Sequence, residues 1–252
     1  MIETTIHDGV AILRMRHGKA NALDLELCHG AEKRLKEMEA ADVGAVVLTG
    51  EGNIFSAGVD LLRVVEEGMP YVREFLPALC GVIETALAFS KPLVMAINGH
   101  AVAGGCVLAA AGDRRIIADG NARMGVPELL VGVPFPVAAL EAMRGVLAPA
   151  DFQYLVYYDR VVGVTDALAR GLVDAVVPEE QLEAEAVAAA AKLAAIAPGA
   201  FAATKAQVRG PVMERIAQGR KLDKEVAKHW ERPETLDAIR RYVESTFKKA
   251  KA

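Results

Sequence analysis

Phe55-Ser56-Ala57-Gly58-Val59-Asp60 is one of two stretches that are most informative about the fold of this chain. The other is Ala103-Gly104-Gly105-Cys106. Each joins an apolar, strand-like run to a helix-like run through small residues. Small residues at such a junction let a ligand lie directly against backbone N–H groups. If the two junctions face each other, two N–H donors point at one position, which is the arrangement that stabilises an oxygen atom as negative charge develops on it. The two stretches therefore predict an enzyme site built largely from backbone.

The composition limits the size of the core and the kinds of partner. The chain has 252 residues, of which 53% are hydrophobic, and this suffices for one α/β domain or for one domain with a helical appendage. The formal net charge is -4, aromatic residues make up only 5%, and no basic stripe accompanies them. These features disfavour nucleic-acid binding.

The cysteines Cys28, Cys80 and Cys106 are widely scattered and form neither a CxxC pair nor a Cys/His cluster at metal-ligand spacing. They indicate reduced, buried thiols in a cytoplasmic protein that holds no metal. The first residues alternate like a strand and show no targeting pattern. Charged residues interrupt the Ala/Val-rich stretches, so we expect no membrane span.

Hydrophobic periodicity predicts alternating strands and helices in the first part of the chain. Residues 2–16 alternate like a hairpin that turns at Asp8-Gly9, and Asp24 is placed to cap the helix that follows. Continuous apolar runs bounded by turn residues are typical of buried strands. The predicted strands span 43–49, 92–98 and 115–118, and the predicted helices span 23–38, 71–89 and 104–111.

From Pro178 onward the chain changes to a helical pattern. An Ala/Glu helix follows Pro178, and Pro198-Gly199 begins three helical segments separated at Gly210-Pro211 and Arg232-Pro233. The sequence therefore predicts an α/β fold with a repeating β-β-α core over residues 1–190 and a C-terminal helical region over residues 191–252. Between these parts, helices are predicted at 137–146, 149–157 and 165–169, and a short strand at 173–177.

Seven segments resemble, in order and spacing, the crotonase family, that is, the enoyl-CoA hydratase/isomerase superfamily. The resemblance implies a crotonase-like ββα spiral core, binding of acyl-CoA thioesters, and a C-terminal region that assembles trimers, commonly paired into hexamers. It is much less specific for the reaction, because one fold hosts many reactions. The segments are residues 19–23 (KANAL), 53–61 (NIFSAGVDL), 91–99 (KPLVMAING), 103–106 (AGGC), 112–113 (GD), 125–128 (GVPE) and 167–174 (ALARGLVD).

By this resemblance, the backbone N–H groups of Ala57 and Gly104 form an oxyanion hole, and Glu128 is the acid/base residue. Hydratases of the family use two glutamates, one directly after the Gly-Gly-Cys stretch and one at the end of a Gly-x-Pro-Glu segment. Val107 occupies the first position and Glu128 the second. A single positioned carboxylate favours a double-bond shift over hydration, as in the family's single-glutamate Δ3,Δ2-enoyl-CoA isomerases.

Several alternatives stay open at this point. Glu66, Glu67 or Glu141 could supply a second acid and allow an atypical enoyl-CoA hydratase. The same scaffold could serve a thioester hydrolase, a decarboxylase or a catalytically silent acyl-CoA-binding subunit. Structural roles also compete at single positions, because Gly104 could serve helix packing alone and Glu128 could be a solvated surface acid.

The resemblance also implies where the substrate lies. Coenzyme A is part of that substrate, so no separate cofactor is expected. Asp60 is placed to cap the helix that begins near Leu61, Phe135 is placed to narrow the acyl pocket, and Arg63 is a candidate for the phosphates, as are Lys248 and Lys249 of a neighbouring subunit. The residues expected along the path are Lys19, Ala20, Ala22, Ala57, Gly58, Val59, Asp60 and Gly104.

Overall fold

The computed structural model describes residues 1–158 and 160–249, the last three of these by their backbone alone. The strands within this range are β1 (Ile2–His7), β2 (Val10–Met15), β3 (Ala45–Gly50), β4 (Ile54–Ser56), β5 (Leu93–Ile97), β6 (His100–Val102), β7 (Arg114–Ala118), β8 (Arg123–Gly125), β9 (Val161–Gly163) and β10 (Ala175–Val177). The helices are α1 (Leu25–Ala40), α2 (Leu61–Ala88), α3 (Gly104–Ala110), α4 (Glu128–Val131), α5 (Val137–Arg144), α6 (Pro149–Tyr157), α7 (Val164–Ala169), α8 (Leu182–Ala194), α9 (Pro198–Trp230) and α10 (Pro233–Lys249).

The strands form two sheets, and the β-β-α repeats contribute strands to both. One sheet has six strands in the order β1-β2-β3-β5-β7-β10, and the other has four in the order β4-β6-β8-β9. In each repeat the first strand joins the large sheet and the second joins the small one, as β3 and β4 do before α2, and β5 and β6 before α3. This arrangement confirms the predicted crotonase-like ββα spiral.

The first hairpin and first helix form where the sequence places their signals. Strands β1 and β2 pair antiparallel, with Ile2 opposite Met15, and Asp8 and Gly9 turn the chain with φ values of 48° and 77°. Asp24 caps α1, because its Oδ1 accepts the Leu27 N–H at 2.8 Å. Asp60 caps α2 in the same way, accepting the Arg63 N–H at 3.1 Å. These local predictions are confirmed.

Helix α2 consists of two segments joined at Gly68. This residue has φ 68° and ψ -151°, which is not helical, and Pro70 follows it. A glycine adopts positive φ without the steric cost that other residues carry. The second segment runs beside the core with Tyr71, Phe75 and Leu79 buried, which agrees with the helix predicted at 71–89.

The C-terminal helices pack on the same core as the sheets. Val212, Ile216 and Trp230 belong to the main hydrophobic cluster, while α8 covers the outer face of the large sheet with Leu182, Ala186 and Ala190. The predicted boundary at residue 190 therefore falls inside α8. A trimerisation role for 191–252 stays a prediction.

Helix α9 corrects one prediction from the sequence. It runs unbroken through Gly210-Pro211, where a break was expected, for a total of 33 residues. Pro211 is exposed, and buried side chains on either side of it, Arg209 and Val212, hold the helix to the core. Packing therefore outweighs the lost backbone bond that normally ends a helix at proline. The break at Arg232-Pro233 is confirmed, because α10 begins there.

Within the described range, no single helix is both long enough and apolar enough to cross a membrane. The pair Glu179–Ala194 and Pro198–Trp230, bent by 102°, meets the length and composition criteria together.

Candidate active site

The two sequence junctions face each other, with glycines at the points of contact. A Cβ on Gly58 would lie 2.6 Å from the Val102 carbonyl oxygen, 2.7 Å from the Ala103 Cβ and 3.1 Å from the Gly104 nitrogen. A Cβ on Gly105 would lie 2.5 Å from the Ser56 carbonyl oxygen. The loop after β4 and the start of α3 are therefore in backbone contact, and larger residues would separate them.

The start of α3 is held in a strained conformation. Ala103, which precedes the helix, has φ 52° and ψ -131° and provides no side-chain cap. Its N–H donates to the Gly125 carbonyl at 2.7 Å, and its own carbonyl accepts from Cys106 and Val107. Strain of this kind costs about 1–3 kcal/mol and concentrates at functional sites. The next N–H, that of Gly104, is at the first position of the helix and has no acceptor within it. No described residue accepts this N–H.

The prediction for Ala57 is wrong in one respect, because its backbone N–H already has a partner. That N–H donates to the Ala20 carbonyl at 3.0 Å, and the residue itself is exposed. Two residues later, Val59 forms a parallel bridge with Leu23, in which Leu23 bonds to Gly58 and Asp60. The N–H of Val59 therefore points to the opposite side, and no described residue accepts it. Val59 and Gly104 each supply an amide without a described acceptor at the contact between the junctions.

Two polar residues fix the loop that carries Val59. The buried Ser56 hydroxyl donates to the Asn21 carbonyl at 2.7 Å and accepts from the Gly58 N–H at 3.1 Å. The Asn21 side-chain amide donates to the Phe55 carbonyl at 3.2 Å. Asn21 itself has φ 45°, a conformation that asparagine tolerates better than most residues. Neither residue was predicted to have a role, although Asn21 lies in the KANAL segment and Ser56 in the NIFSAGVDL segment.

Glu128 is the first residue of α4 and is half-buried, with its Oε2 atom shielded from solvent. It lies close enough to α3 to act on Cys106: burial, and after it the negative charge of Glu128, raises the pKa of the Cys106 thiol to about 12. Of the apolar residues that follow Glu128 in the chain, Val131 is buried, whereas Leu129 and Leu130 are exposed. The structure thus places Glu128 beside the helix that begins with Gly104.

The other carboxylates left open by the sequence lie in ion pairs or on the surface. Glu141 is buried and contacts Arg144 at 3.0 Å and Arg215 at 2.5 Å. Glu67 pairs with Arg63 at 2.5 Å, and Glu66 is exposed on α2. Val107 is buried in α3. These carboxylate oxygens are already held by arginines, so Glu141 and Glu67 are poor candidates for a second acid.

The residues expected along the substrate path have different environments. Lys19 is exposed, whereas Ala20 and Ala22 are half-buried. Arg63 contacts Glu26 and Glu67, lies 3.6 Å from Asp24, and stacks over the Tyr71 ring at 4.7 Å. Three carboxylates around one guanidinium argue against phosphate binding there. Phe135 is buried in the main cluster, and the side chains of Lys248 and Lys249 lie outside the described residues.

Gly104 is enclosed by apolar side chains. A Cβ at this position would lie 2.9 Å from Leu23 Cδ1 and 3.7 Å from both Leu79 Cδ1 and Val59 Cγ2. A side chain would therefore collide with Leu23 and fill the space beside the two amides. Hydrogen bonds from backbone donors are stronger in such a low-dielectric setting than in water.

A separate cleft of about 450 Å³ lies between α2 and α9. Its apolar lining includes Val72, Leu76 and Val226, and the pairs Arg73–Glu231 and Arg220–Glu84 stand among its lining residues. None of the residues that line it belongs to the two junctions. Among residues 1–158 and 160–249, no group of three or more His, Cys, Asp or Glu residues could hold a metal ion.

Together, the ββα spiral and the amides of Val59 and Gly104 at the contact between the junctions define a crotonase-fold protein. A sequence model of the family described as enoyl-CoA hydratase/isomerase matches residues 5–249. The chain therefore belongs to the enoyl-CoA hydratase/isomerase family.

Relatives within this family have different names. A probable enoyl-CoA hydratase of Rhizobium meliloti is 30% identical over 89% of this chain and 86% of its own length. Mitochondrial enoyl-CoA delta isomerase 1 of Mus musculus is 29% identical over 88% of this chain and 78% of its own length. The crystal structure of human mitochondrial delta3-delta2-enoyl-CoA isomerase covers 98% of both chains with a TM-score of 0.94 at 26% identity.

Proposed function

We propose that this protein shifts the double bond of 3-enoyl-CoA thioesters to the 2 position, with Glu128 as its one acid/base residue. The observation that carries the proposal is the pair of positions around α3. The negative charge of Glu128 acts on Cys106 in the first turn of that helix, while Val107 occupies the place where the family's hydratases have a second glutamate. Valine can neither activate water nor carry a proton.

The reaction needs one base and one place for negative charge. The Glu128 carboxylate removes a proton from C2, and the electron pair left behind is delocalised through the carbonyl onto the thioester oxygen and through the C3–C4 double bond onto C4. The amides of Val59 and Gly104 donate to that oxygen, each contributing about 100- to 1000-fold in rate. The Glu128 carboxyl then returns the proton to C4, which leaves the double bond between C2 and C3 and restores the carboxylate.

Hydration makes a further demand that this site meets poorly. Water must be activated at C3 while a proton is delivered at C2, and each positioned acid/base group contributes about 100- to 10,000-fold. The candidate second acids are paired with arginines or exposed. The relatives' names support both reactions, and the similarity to the structure of the human isomerase supports isomerisation.

The rest of the proposal concerns partners and setting. We propose that residues 19–22 contact the coenzyme A part of the substrate, that no redox cofactor or metal takes part, and that the protein works in the cytoplasm as a homotrimer or homohexamer. The exposed Lys19 is a better candidate for a CoA phosphate than Arg63, whose charge is offset by three carboxylates.

A pair of assays tests the reaction. With 3-hexenoyl-CoA, the rise in absorbance of the conjugated product should show rapid turnover. With crotonyl-CoA, the loss of the same absorbance should be at least 100-fold slower. Rapid hydration of crotonyl-CoA would overturn the proposal in favour of an atypical hydratase.

A substitution tests the role of Glu128. Glu128→Gln keeps the shape of the side chain but removes the base, so kcat for isomerisation should fall about 100- to 10,000-fold while binding of CoA esters remains. Glu141→Gln is the matched control: it removes a buried carboxylate that is held by two arginines, and should lower stability while keeping kcat within a few-fold. If Glu128→Gln leaves turnover unchanged, this residue is not the base; if the wild type has no turnover, a silent acyl-CoA-binding subunit becomes the better explanation.

A further inference from the structure

Helix α3 is anchored at its C-terminal end by two buried arginines, one of them from a distant part of the chain. Arg209 Nη2, from α9, donates to the carbonyls of Ala111 and Gly112 at 3.2 and 2.8 Å. Arg115 Nη1 donates to the same Gly112 carbonyl at 3.0 Å. The last carbonyls of a helix have no intrahelical partner and carry partial negative charge. Two guanidinium groups therefore satisfy the end of α3 that lies opposite Gly104.

Carboxylates tie these cations to the sheet. Asp113 Oδ2 accepts from Lys205 Nζ at 2.6 Å and from the Leu93 N–H at 2.8 Å, and its Oδ1 lies 3.7 Å from Arg209. Asp174 holds Arg115 through contacts of 2.8 and 2.9 Å. The anchor thus connects α3 to β5, β7 and α9. We call Asp113, Arg115, Lys205 and Arg209 the α3 anchor.

Burying the charged groups of the α3 anchor costs free energy, which indicates that the cluster has a specific role. Lys205, Arg209 and Arg115 are at most 9% exposed, and burial lowers the pKa of both Lys205 and Arg209. Replacing buried ion pairs by apolar residues is often neutral or stabilising. A stability role alone therefore explains the cluster poorly, whereas precise placement of a helix end explains it well.

Helix α3 transmits a displacement of its C-terminal end to its N-terminal end. Helix α3 has seven residues, all of them buried, so it spans roughly 10 Å. Its first turn is packed against Ser56 and Leu23 without spare room at Gly105 and Gly104. A shift or tilt at Gly112 must therefore appear as a displacement at the Gly104 amide, and misplacement by about 1 Å can cost on the order of 100-fold in rate.

We propose that Arg209, supported by Lys205 through Asp113, is a positioning residue that sets the Gly104 amide relative to Val59. This inference rests on the proposed function and extends it, because it makes the C-terminal helix α9 part of the machinery that shapes the oxyanion hole. Arg209 does not touch the site where the substrate oxygen would lie; it acts through α3.

The test combines kinetics with a spectroscopic measurement of the oxyanion hole. The absorption band of 2,4-hexadienoyl-CoA moves to longer wavelength when hydrogen bonds polarise its thioester carbonyl, so it reports on the amides without turnover. In Arg209→Met we expect a smaller band shift and a kcat for 3-hexenoyl-CoA that is about 10- to 100-fold lower, with KM within a few-fold of the wild type. Arg209→Lys, which keeps a cationic donor, should recover most of both.

A second arginine of the same helix gives the matched control. Arg215 contacts the buried Glu141 at 2.5 Å and does not touch the carbonyls at the end of α3. Arg215→Met should lower the melting temperature but keep the band shift and kcat. If Arg209→Met does not fold, Arg209→Gln, which keeps a neutral donor of similar reach, is compared instead and should show an intermediate loss.

Two contrary outcomes can be told apart. A folded Arg209 variant with a lower melting temperature but the wild-type band shift and kcat overturns the positioning role and leaves the proposed function intact. Wild-type protein that neither isomerises 3-hexenoyl-CoA nor shifts the hexadienoyl-CoA band overturns the proposed function, and the positioning role with it.

Discussion

The two ends of α3 are built in opposite ways. At its first residue, small side chains, a strained Ala103 and backbone contacts at Gly58 leave the amides of Val59 and Gly104 without acceptors among the described residues. At its last residues, two arginines satisfy the carbonyls and are held by two aspartates. One end is therefore left for a ligand, while the other is fixed by the protein itself. A helix with both ends capped could not bind an oxygen, and one with neither end fixed could not place its amide.

The largest change in stability is expected at the anchored end. Asp113→Asn leaves Lys205 and Arg209 buried without their carboxylate, and breaking a buried pair in this way costs about 3–5 kcal/mol. Urea unfolding followed by circular dichroism measures this loss. Asp237→Asn is the control, because Asp237 pairs with Arg240 on the surface and should cost at most about 1 kcal/mol. Equal losses in the two variants would contradict the view that the anchored end is a buried, coupled cluster.

At the N-terminal end of α3, Gly58→Ala should separate the two junctions. The new methyl group would collide with Val102 and Ala103, and φ is 85° at this position, so we expect a loss of about 2–4 kcal/mol together with a lower kcat. Gly52→Ala isolates the conformational part, because Gly52 has φ 66° with nothing within 4 Å of its Cβ position. It should cost about 1 kcal/mol and keep kcat, as urea unfolding and the isomerase assay would show. A Gly58 variant as stable and active as the Gly52 variant would contradict the close contact.

A smaller, pH-dependent effect is expected from the thiol in the middle of α3 and from Cys80. Burial raises the pKa of Cys106 and Cys80 to about 12, from the ordinary thiol value of 9.0 that holds in the unfolded chain. The folded protein then binds more protons than the unfolded chain between pH 9 and 12, so the free energy of unfolding is unaffected by these thiols below pH 9 and falls as the pH rises above it. Each thiol contributes a slope of at most about 1.4 kcal/mol per pH unit.

Urea unfolding at a series of pH values from 7 to 11 measures that slope. Cys80→Ala should remove one thiol's share of it while leaving α3 unchanged. If the slope above pH 9 is the same in wild type and variant, the Cys80 thiolate is not excluded from the folded state as inferred. Comparison with Cys106→Ala then shows whether the thiol inside α3 behaves in the same way.

The sequence predicted well wherever the signal is local. The Asp8-Gly9 turn and the caps at Asp24 and Asp60 each depend on a few neighbouring residues, and all three form as expected. The strands of the small sheet were not predicted individually, because three-residue strands such as β4 are too short to show periodicity. The break expected at Gly210-Pro211 was wrong, because packing of Arg209 and Val212 against the core keeps α9 continuous.

The candidate site divides along the same line. The family motifs in the sequence determined which segments meet, which carboxylate is present and that Val107 replaces another, because these are facts of residue identity and order. Which amide is available follows from the tertiary structure alone, because the Ala57 N–H donates to the Ala20 carbonyl, 37 positions earlier, whereas no described residue accepts the Val59 N–H. It alone placed Arg209 of α9 on the end of α3. Hydrogen-bond partners and buried charges depend on distances in space between residues far apart in the chain, and a sequence records the residues without recording those distances.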